Sequence, residues 1–357
     1  MHDKTFAKVE QESAVDSVLG CLLGGAVGDA AGLPTERLSR KRIERLYGAV
    51  PVRHRFLFGR GMFSDDTEHT VMVALALLRH PRDPVAFQRA LSWSLRWWLL
   101  AIPAAVGMAT AKAILRLWVG VPVSKSGVHS AGNGPAMRSA IIGVALVDDQ
   151  SAREEFARVS CRLTHTDQRA EEAASLVAEA ASLAAKRCGT EFALERLQAM
   201  VHSAEMRAHF EHMERALRKG RSVSEFANDI GCGERVSGFA PHSVAVAIFA
   251  WLRHRQDFPS VLSAVISCGG DTDTVAAIAC GICGAEVGEQ GIPAHLVLRI
   301  CDWPLSVSFL RKVAASFTSR AKPSELPRLL WPFLVLRNIV FLLVVLFHGV
   351  RRLFPPY

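Results

Sequence analysis

Along most of the chain, apolar residues recur at the spacing of three and four that lines one side of a helix. Val15, Val18, Leu19, Leu22, Leu23, Ala26 and Val27 make one such face, and Gly32 stops it. Further helical stretches are predicted at 85–100, 104–119, 135–147, 151–163, 168–187, 191–218, 242–254 and 258–267, and sustained strand alternation is absent. The pattern predicts an all-α fold, with one body over 14–320 between an N-terminal tail (1–13) and a C-terminal tail (321–357). Gly20, Gly24, Gly25 and Gly28 each weaken the first helix by about 1 kcal/mol relative to alanine. That cost makes sense where a backbone or a ligand packs closely against it.

The C-terminal tail carries its own pattern. After the breaker Lys322-Pro323-Ser324-Glu325-Leu326-Pro327 come Leu329 to Leu336, then Arg337-Asn338, then the unbroken apolar run Ile339 to Phe347. A bilayer span needs about 20 predominantly apolar residues; Leu329 to Val350 reaches that only by including Arg337, Asn338 and His348. Arg351 and Arg352 resist translocation. Two readings stay open for 328–354: a helix lying in the cytoplasmic leaflet, or one docked on its own body or a second subunit.

Two acidic turns introduce apolar helices. Ser64-Asp65-Asp66-Thr67 precedes Val71 to Leu78, and Gly269-Gly270-Asp271-Thr272-Asp273-Thr274 precedes Val275 to Ala279. Either turn alone is accounted for by helix capping, and Asp65 with Glu68 has the spacing of a capping box. Taken together, four carboxylates with Ser64 and Thr274 form the all-oxygen set that Mg²⁺ or Mn²⁺ selects over imidazole or thiolate. Other acidic motifs fit poorly. A calcium loop from Asp271 needs glycine and glutamate where Ala276 and Ile282 stand. Two glycines separate Asp271 from the preceding apolar segment, against a phosphatase-type strand–Asp junction. His69 breaks an Asp-Asp-x-x-Asp pattern.

Five segments then stand in a recognisable order: Gly28-Asp29-Ala30-Ala31-Gly32-Leu33-Pro34-Thr35-Glu36, Ser64 to Thr67, Gly132-Asn133-Gly134-Pro135-Ala136-Met137-Arg138, Thr164-His165-Thr166-Asp167, and Gly269 to Thr274. Over roughly residues 14 to 310 the chain resembles the ADP-ribosylglycohydrolases. The resemblance implies a compact, orthogonal multi-helix bundle with two Mg²⁺ or Mn²⁺ ions, hydrolysing the bond between the distal ribose of ADP-ribose and an acceptor. By position it implies Ser64, Asp65, Asp66, Asp271, Asp273 and Thr274 as metal ligands. It makes Glu36 the acid near the metals, with Asp66 and Asp273 sharing the catalytic role. Gly132, Asn133 and Gly134 wrap the ribose and diphosphate, and Ser130 and His165 line the same pocket. Glycosidic cleavage needs stabilised charge at the anomeric carbon, an activated water and help for the leaving group; two metals supply the first two. The general base stays open between Glu36 and a metal-binding Asp. Ser130 stands where some arginine-directed relatives carry an acid, which puts an arginine linkage in doubt and leaves serine, nucleic-acid and ester conjugates open.

For several of these residues an ordinary structural role competes. Asp167 is a candidate N-cap for the helix through Ala170, so His165 could sit in a surface turn; Asn133 is a candidate turn residue, and Arg138 leans toward a structural role. Cys280 and Cys283 share an apolar helix and read as core thiols rather than a zinc pair. Trp93, Trp97 and Trp98 read as packing residues. Eight scattered cysteines fit reduced thiols. The polar first twelve residues lack a signal core. A cytoplasmic protein, peripheral on the membrane face through its tail, is the expectation. Net charge is +8, but five basic residues against Glu325 in 321–357 account for half of it, so sequence-specific nucleic-acid binding is not expected. Partners are then an ADP-ribosylated protein or a small ADP-ribose conjugate. Two other functions compete: a non-catalytic ADP-ribose-binding or membrane-associated protein, and a glycohydrolase of another nucleoside-diphosphate sugar.

Overall fold

The computed structural model describes residues 2–48, 52–104, 106–318, 322–329 and 331–354. In chain order its α-helices are α1 (His2–Gly32), α2 (Arg40–Tyr47), α3 (Asp65–Arg79), α4 (Pro84–Leu100), α5 (Met108–Trp118), α6 (Gly134–Met137), α7 (Ala140–Ala145), α8 (Gln150–Arg162) and α9 (Gln168–Ala185). They continue with α10 (Thr190–Gln198), α11 (Ala204–Arg218), α12 (Val223–Asp229), α13 (Ala240–Arg253), α14 (Phe258–Ser267), α15 (Thr272–Val287), α16 (Ala294–Leu298), α17 (Val307–Thr318) and α18 (Trp331–Arg351). Among the described residues, β pairing is confined to isolated bridges. The side chains of the predicted N-terminal tail lie outside the described residues, while its backbone from His2 is already helical.

Packing centres on α15, which is buried over nearly its whole length and lies against α1, α9, α13 and α14. Its contact with α1 explains the glycines of the first helix. A methyl group at Gly20, Gly24, Gly28 or Gly32 would stand 2.1 to 2.4 Å from the carbonyl oxygens of Gly284, Cys280, Ala276 and Thr272 respectively. The two helices therefore run antiparallel with backbones in contact, and the C-terminus of α1 meets the N-terminus of α15. This is where the close packing passes into the site: Thr35 Oγ1 and Thr272 Oγ1 both donate to Gly32 O, at 2.8 and 2.9 Å.

Two predicted helices are broken. The stretch 191–218 divides into α10 and α11 because the Glu172 carboxylate accepts from the backbone N–H and hydroxyl of Ser203, which then caps α11 through Met206 N. The stretch 135–147 divides at Arg138-Ser139, where the Arg138 side chain turns fully inward. Glu68 closes no capping box: Ser64 caps α3 by accepting from Asp66 N, and Glu68 instead accepts from Trp98 Nε1 at 2.6 Å. Trp98 is buried, but Trp93 and Trp97 are half exposed. Cys280 and Cys283 are buried free thiols, as their apolar helix suggests.

The tail helix α18 lies on the body. Arg337 donates to Asp302 Oδ2 at 2.6 Å and to Glu68 Oε1 at 3.0 Å, and Asn338 donates to Ala101 O at 2.9 Å. Phe341 packs with Phe56, Met62 and Leu33 in a small satellite core. The two polar residues that interrupt the apolar tail are thus its internal anchors, and of the two readings of the tail the structure shows docking on its own body.

Candidate active site

Asp29, one turn before the end of α1, joins the first two parts of the site. Its carboxylate accepts from Ser64 N at 3.0 Å, Thr67 N at 3.1 Å and Thr67 Oγ1, so it takes up N–H groups that the start of α3 would leave unpaired. Sequence reasoning gave Asp29 no role, although the motif containing it was in view. The acidic turns themselves meet at Asp66, whose Oδ2 accepts from Ser64 Oγ at 2.9 Å and from Thr274 Oγ1 at 3.2 Å. Asp66 and Thr274, 208 positions apart, therefore meet at one buried oxygen. The Gly269-Gly270 pair has a local cause: Gly270 takes φ of +87°, and a methyl group there would stand 2.0 Å from Val236 O.

A cavity of about 470 Å³ opens beside this junction. Ser64, Asp65, Asp271, Asp273, Thr274 and Glu36 line it, as do Ser130, Gly132, Asn133, Gly134 and His165. Asp66 sits one layer behind, reached through Ser64 and Thr274. Asp271 stands at the N-cap position of α15 without capping it; its Oδ2 accepts from Asn133 Nδ2 at 2.6 Å, which ties the glycine loop to the acids. Asn133 N in turn donates to Gly238 O. His165 is buried rather than in a surface turn: its Nδ1 lies 2.9 Å from Thr164 Oγ1, and its ring is close enough that methyl groups at Gly132 and Gly134 would approach it to 3.1 and 3.2 Å. Burial first, and then Arg138, depress the His165 pKa to about 3, so the ring is neutral. Arg138 is structural, donating to Ser160 O and Thr164 Oγ1 beneath the cleft.

The acids are crowded and, Glu36 apart, act on one another chiefly as like charges. Burial raises Asp29 to about 6. Burial and then the charge of Asp29 push Asp65 and Asp66 well above the ordinary carboxylate range; for Asp273, burial is followed by Glu36 and Asp271. Glu36 is raised by burial, against the pull of Arg37. Asp66 Oδ1 and Asp273 Oδ1 are buried with no hydrogen-bond partner. Buried, mutually repelling carboxylates with orphaned oxygens fit a bound divalent cation, whose charge and coordination would satisfy both deficits. Elsewhere Glu205, His209 and His242 bring ligand atoms within 4.8 Å of one another, a nitrogen-containing group of a different kind.

An all-α body whose converging helix ends surround an acidic cleft with a glycine loop at its edge is the class that fold and site define. A family model for ADP-ribosylglycohydrolases matches residues 10–324, and the chain belongs to that family. It is 32% identical to an uncharacterized protein of Archaeoglobus fulgidus, covering 76% of this chain and 86% of that one. It is 25% identical to the ADP-ribosyl-[dinitrogen reductase] glycohydrolase of Rhodospirillum rubrum, covering 85% and 96%. A solved structure titled as an ADP-ribosylglycohydrolase-related protein complex superposes with a TM-score of 0.66 at 26% identity, covering 87% of this chain and all of that one.

Proposed function

We propose that the chain is a Mg²⁺- or Mn²⁺-dependent hydrolase that cleaves the glycosidic bond between ADP-ribose and an acceptor. The observation that carries this is the shared Asp66 oxygen between two helix starts, with Asp66 Oδ1 and Asp273 Oδ1 left unpartnered in a buried acidic ring. Ser64, Asp65, Asp66, Asp271, Asp273 and Thr274 would hold the ions. Two divalent cations held by these residues would supply stabilisation of developing charge and a more acidic water. The chain's own groups do the rest. Gly132 and Gly134 let backbone approach the diphosphate, Asn133 holds Asp271 in register, and the neutral His165 ring walls the ribose pocket without adding charge. Glu36, its carboxyl raised by burial beside the acids, or one of the ion-binding aspartates would take a proton from the attacking water and pass it on to the leaving acceptor.

The test is release of ADP-ribose from a panel of arginine, serine, nucleic-acid and acetyl-ester conjugates, with and without chelator. Asp273→Asn is expected to lower metal-dependent release by about 100-fold or more while leaving the helical circular dichroism unchanged. Tight ADP-ribose binding with no cleavage of any linkage would establish a binding protein instead, and stronger competition by another diphosphate sugar would move the substrate.

The protein is further proposed to be cytoplasmic and to rest on the membrane face through α18. Arg337 and Asn338 pin the inner face to the body, whereas Leu343, Leu346, Phe347, Val350, Leu353 and Phe354 are exposed. An outward apolar strip that ends beside the exposed Arg351 suits an anionic lipid surface.

A further inference from the structure

Helix α18 lies beyond the segment 10–324 that the family model matches, yet Phe341, Val345, His348, Gly349 and Arg352 line the same cavity as Glu36, Asp65 and Asp273. We propose that α18 forms the acceptor subsite: it walls the side of the cleft that holds the group leaving from ADP-ribose, and selects small, uncharged or anionic acceptors over a guanidinium. The inference rests on the hydrolase reading given above.

The side of the cleft follows from what each wall is fastened to. The Gly132–Gly134 loop is tied through Asn133 to Gly238 and Asp271, at the α13 and α15 edge. Arg352 instead donates to Pro34 O at 3.0 Å and Glu36 O at 3.1 Å, the backbone that carries the acid. With the diphosphate of a ligand at the glycine loop and its anomeric carbon among the acids, the remaining wall beside Glu36, formed by α18, is left for the leaving group.

The wall is fixed. Arg337 reaches both Asp302 and Glu68, His348 Nε2 meets Phe56 O at 2.5 Å, and the imidazole of His348 stacks on Phe56 with ring planes 5° apart. Its chemistry is apolar and basic. Phe341 and Val345 offer carbon surface, Arg352 and the nearby Arg37 offer positive charge, and neither Arg352 nor any of the four α18 residues facing the cavity is an acid. A cationic acceptor would meet the charges of Arg37 and Arg352 there and compete with them for Glu36, whereas a compact acyl or hydroxyl-linked group would not.

Two variants of the full chain test this. A methyl group at Gly349 meets nothing within 4 Å, so the position has room for a side chain, and Gly349→Trp adds bulk at the cavity edge. It is expected to raise KM about tenfold for a conjugate with a large acceptor, while the Kd of free ADP-ribose, which lacks an acceptor, stays within about twofold by calorimetry. Arg352→Gln is expected to raise kcat/KM for ADP-ribosylarginine about tenfold relative to the acetyl ester. Equal loss of free ADP-ribose binding and conjugate KM in Gly349→Trp would place α18 on the nucleotide side and overturn the assignment. Unchanged substrate ratios in both variants would overturn it as well. Failure of the parent chain to cleave any conjugate is a separate result, which removes the hydrolase reading and this inference with it.

Discussion

Asp66 and His165 show how single residues in this cleft are set by their burial. At Asp66 one oxygen is saturated by two hydroxyls and the other has no partner, an arrangement that is costly until a cation arrives. At His165 the cost is avoided by keeping the ring neutral. Its folded pKa of about 3 lies below the ordinary 6.5. The stability it contributes is therefore complete above pH 6.5 and is lost as pH falls toward 3. Between pH 7 and pH 5 the parent chain should lose about 2 kcal/mol more stability than His165→Gln, measured by urea denaturation at each pH. Parallel pH profiles for the two proteins would mean that the ring is already solvated or charged.

Among the helices, α18 makes the sharpest energetic demand. Arg337, Glu68 and Asp302 are all nearly excluded from solvent, so the guanidinium is the counter-charge of two buried carboxylates in the body. Removing one member of such a group leaves uncompensated charge in a poor solvent. Arg337→Met should cost about 3–5 kcal/mol, read as a fall in denaturation midpoint with an unchanged m-value. A loss below about 1 kcal/mol would mean that Glu68 and Asp302 are solvated or protonated without it. The ion pairs also bear on the membrane: α18 is long and apolar enough to span a bilayer by composition, but spanning would require these contacts to break.

For the whole molecule, lying on a lipid surface differs measurably from spanning one. The full chain should co-sediment with vesicles containing anionic phospholipid, and Leu346→Glu/Phe347→Glu should reduce the bound fraction about tenfold while leaving ADP-ribose release in solution unaltered. Equal binding of both proteins would remove the apolar strip from the account. How much of this molecule could be read in advance depends on the range of the cause. Helix periodicity is local, so α1, α4, α8, α9, α13 and α14 are visible in the chain. Asp65, Asp66, Asp271 and Asp273 could be nominated because each pair stands beside an apolar helix, and the order of five motifs joined them. The break between α10 and α11 could not, since it depends on Glu172 arriving from another helix. Nor could Asp29 as the tie between α1 and α3, or α18 as a wall of the cleft. Those roles exist only after residues 35 and more than 300 positions apart have met.

The glycine contact between α1 and α15 has a consequence for chemistry rather than for stability. With backbone against backbone at Gly20, Gly24, Gly28 and Gly32, the separation of Glu36 and Asp29 from Asp271 and Asp273 is geared to the distance between two backbones, one of the least compressible lengths a protein possesses. A single methyl inserted at Gly28 would act as a shim, prying the acids apart from a position that touches neither substrate nor ion.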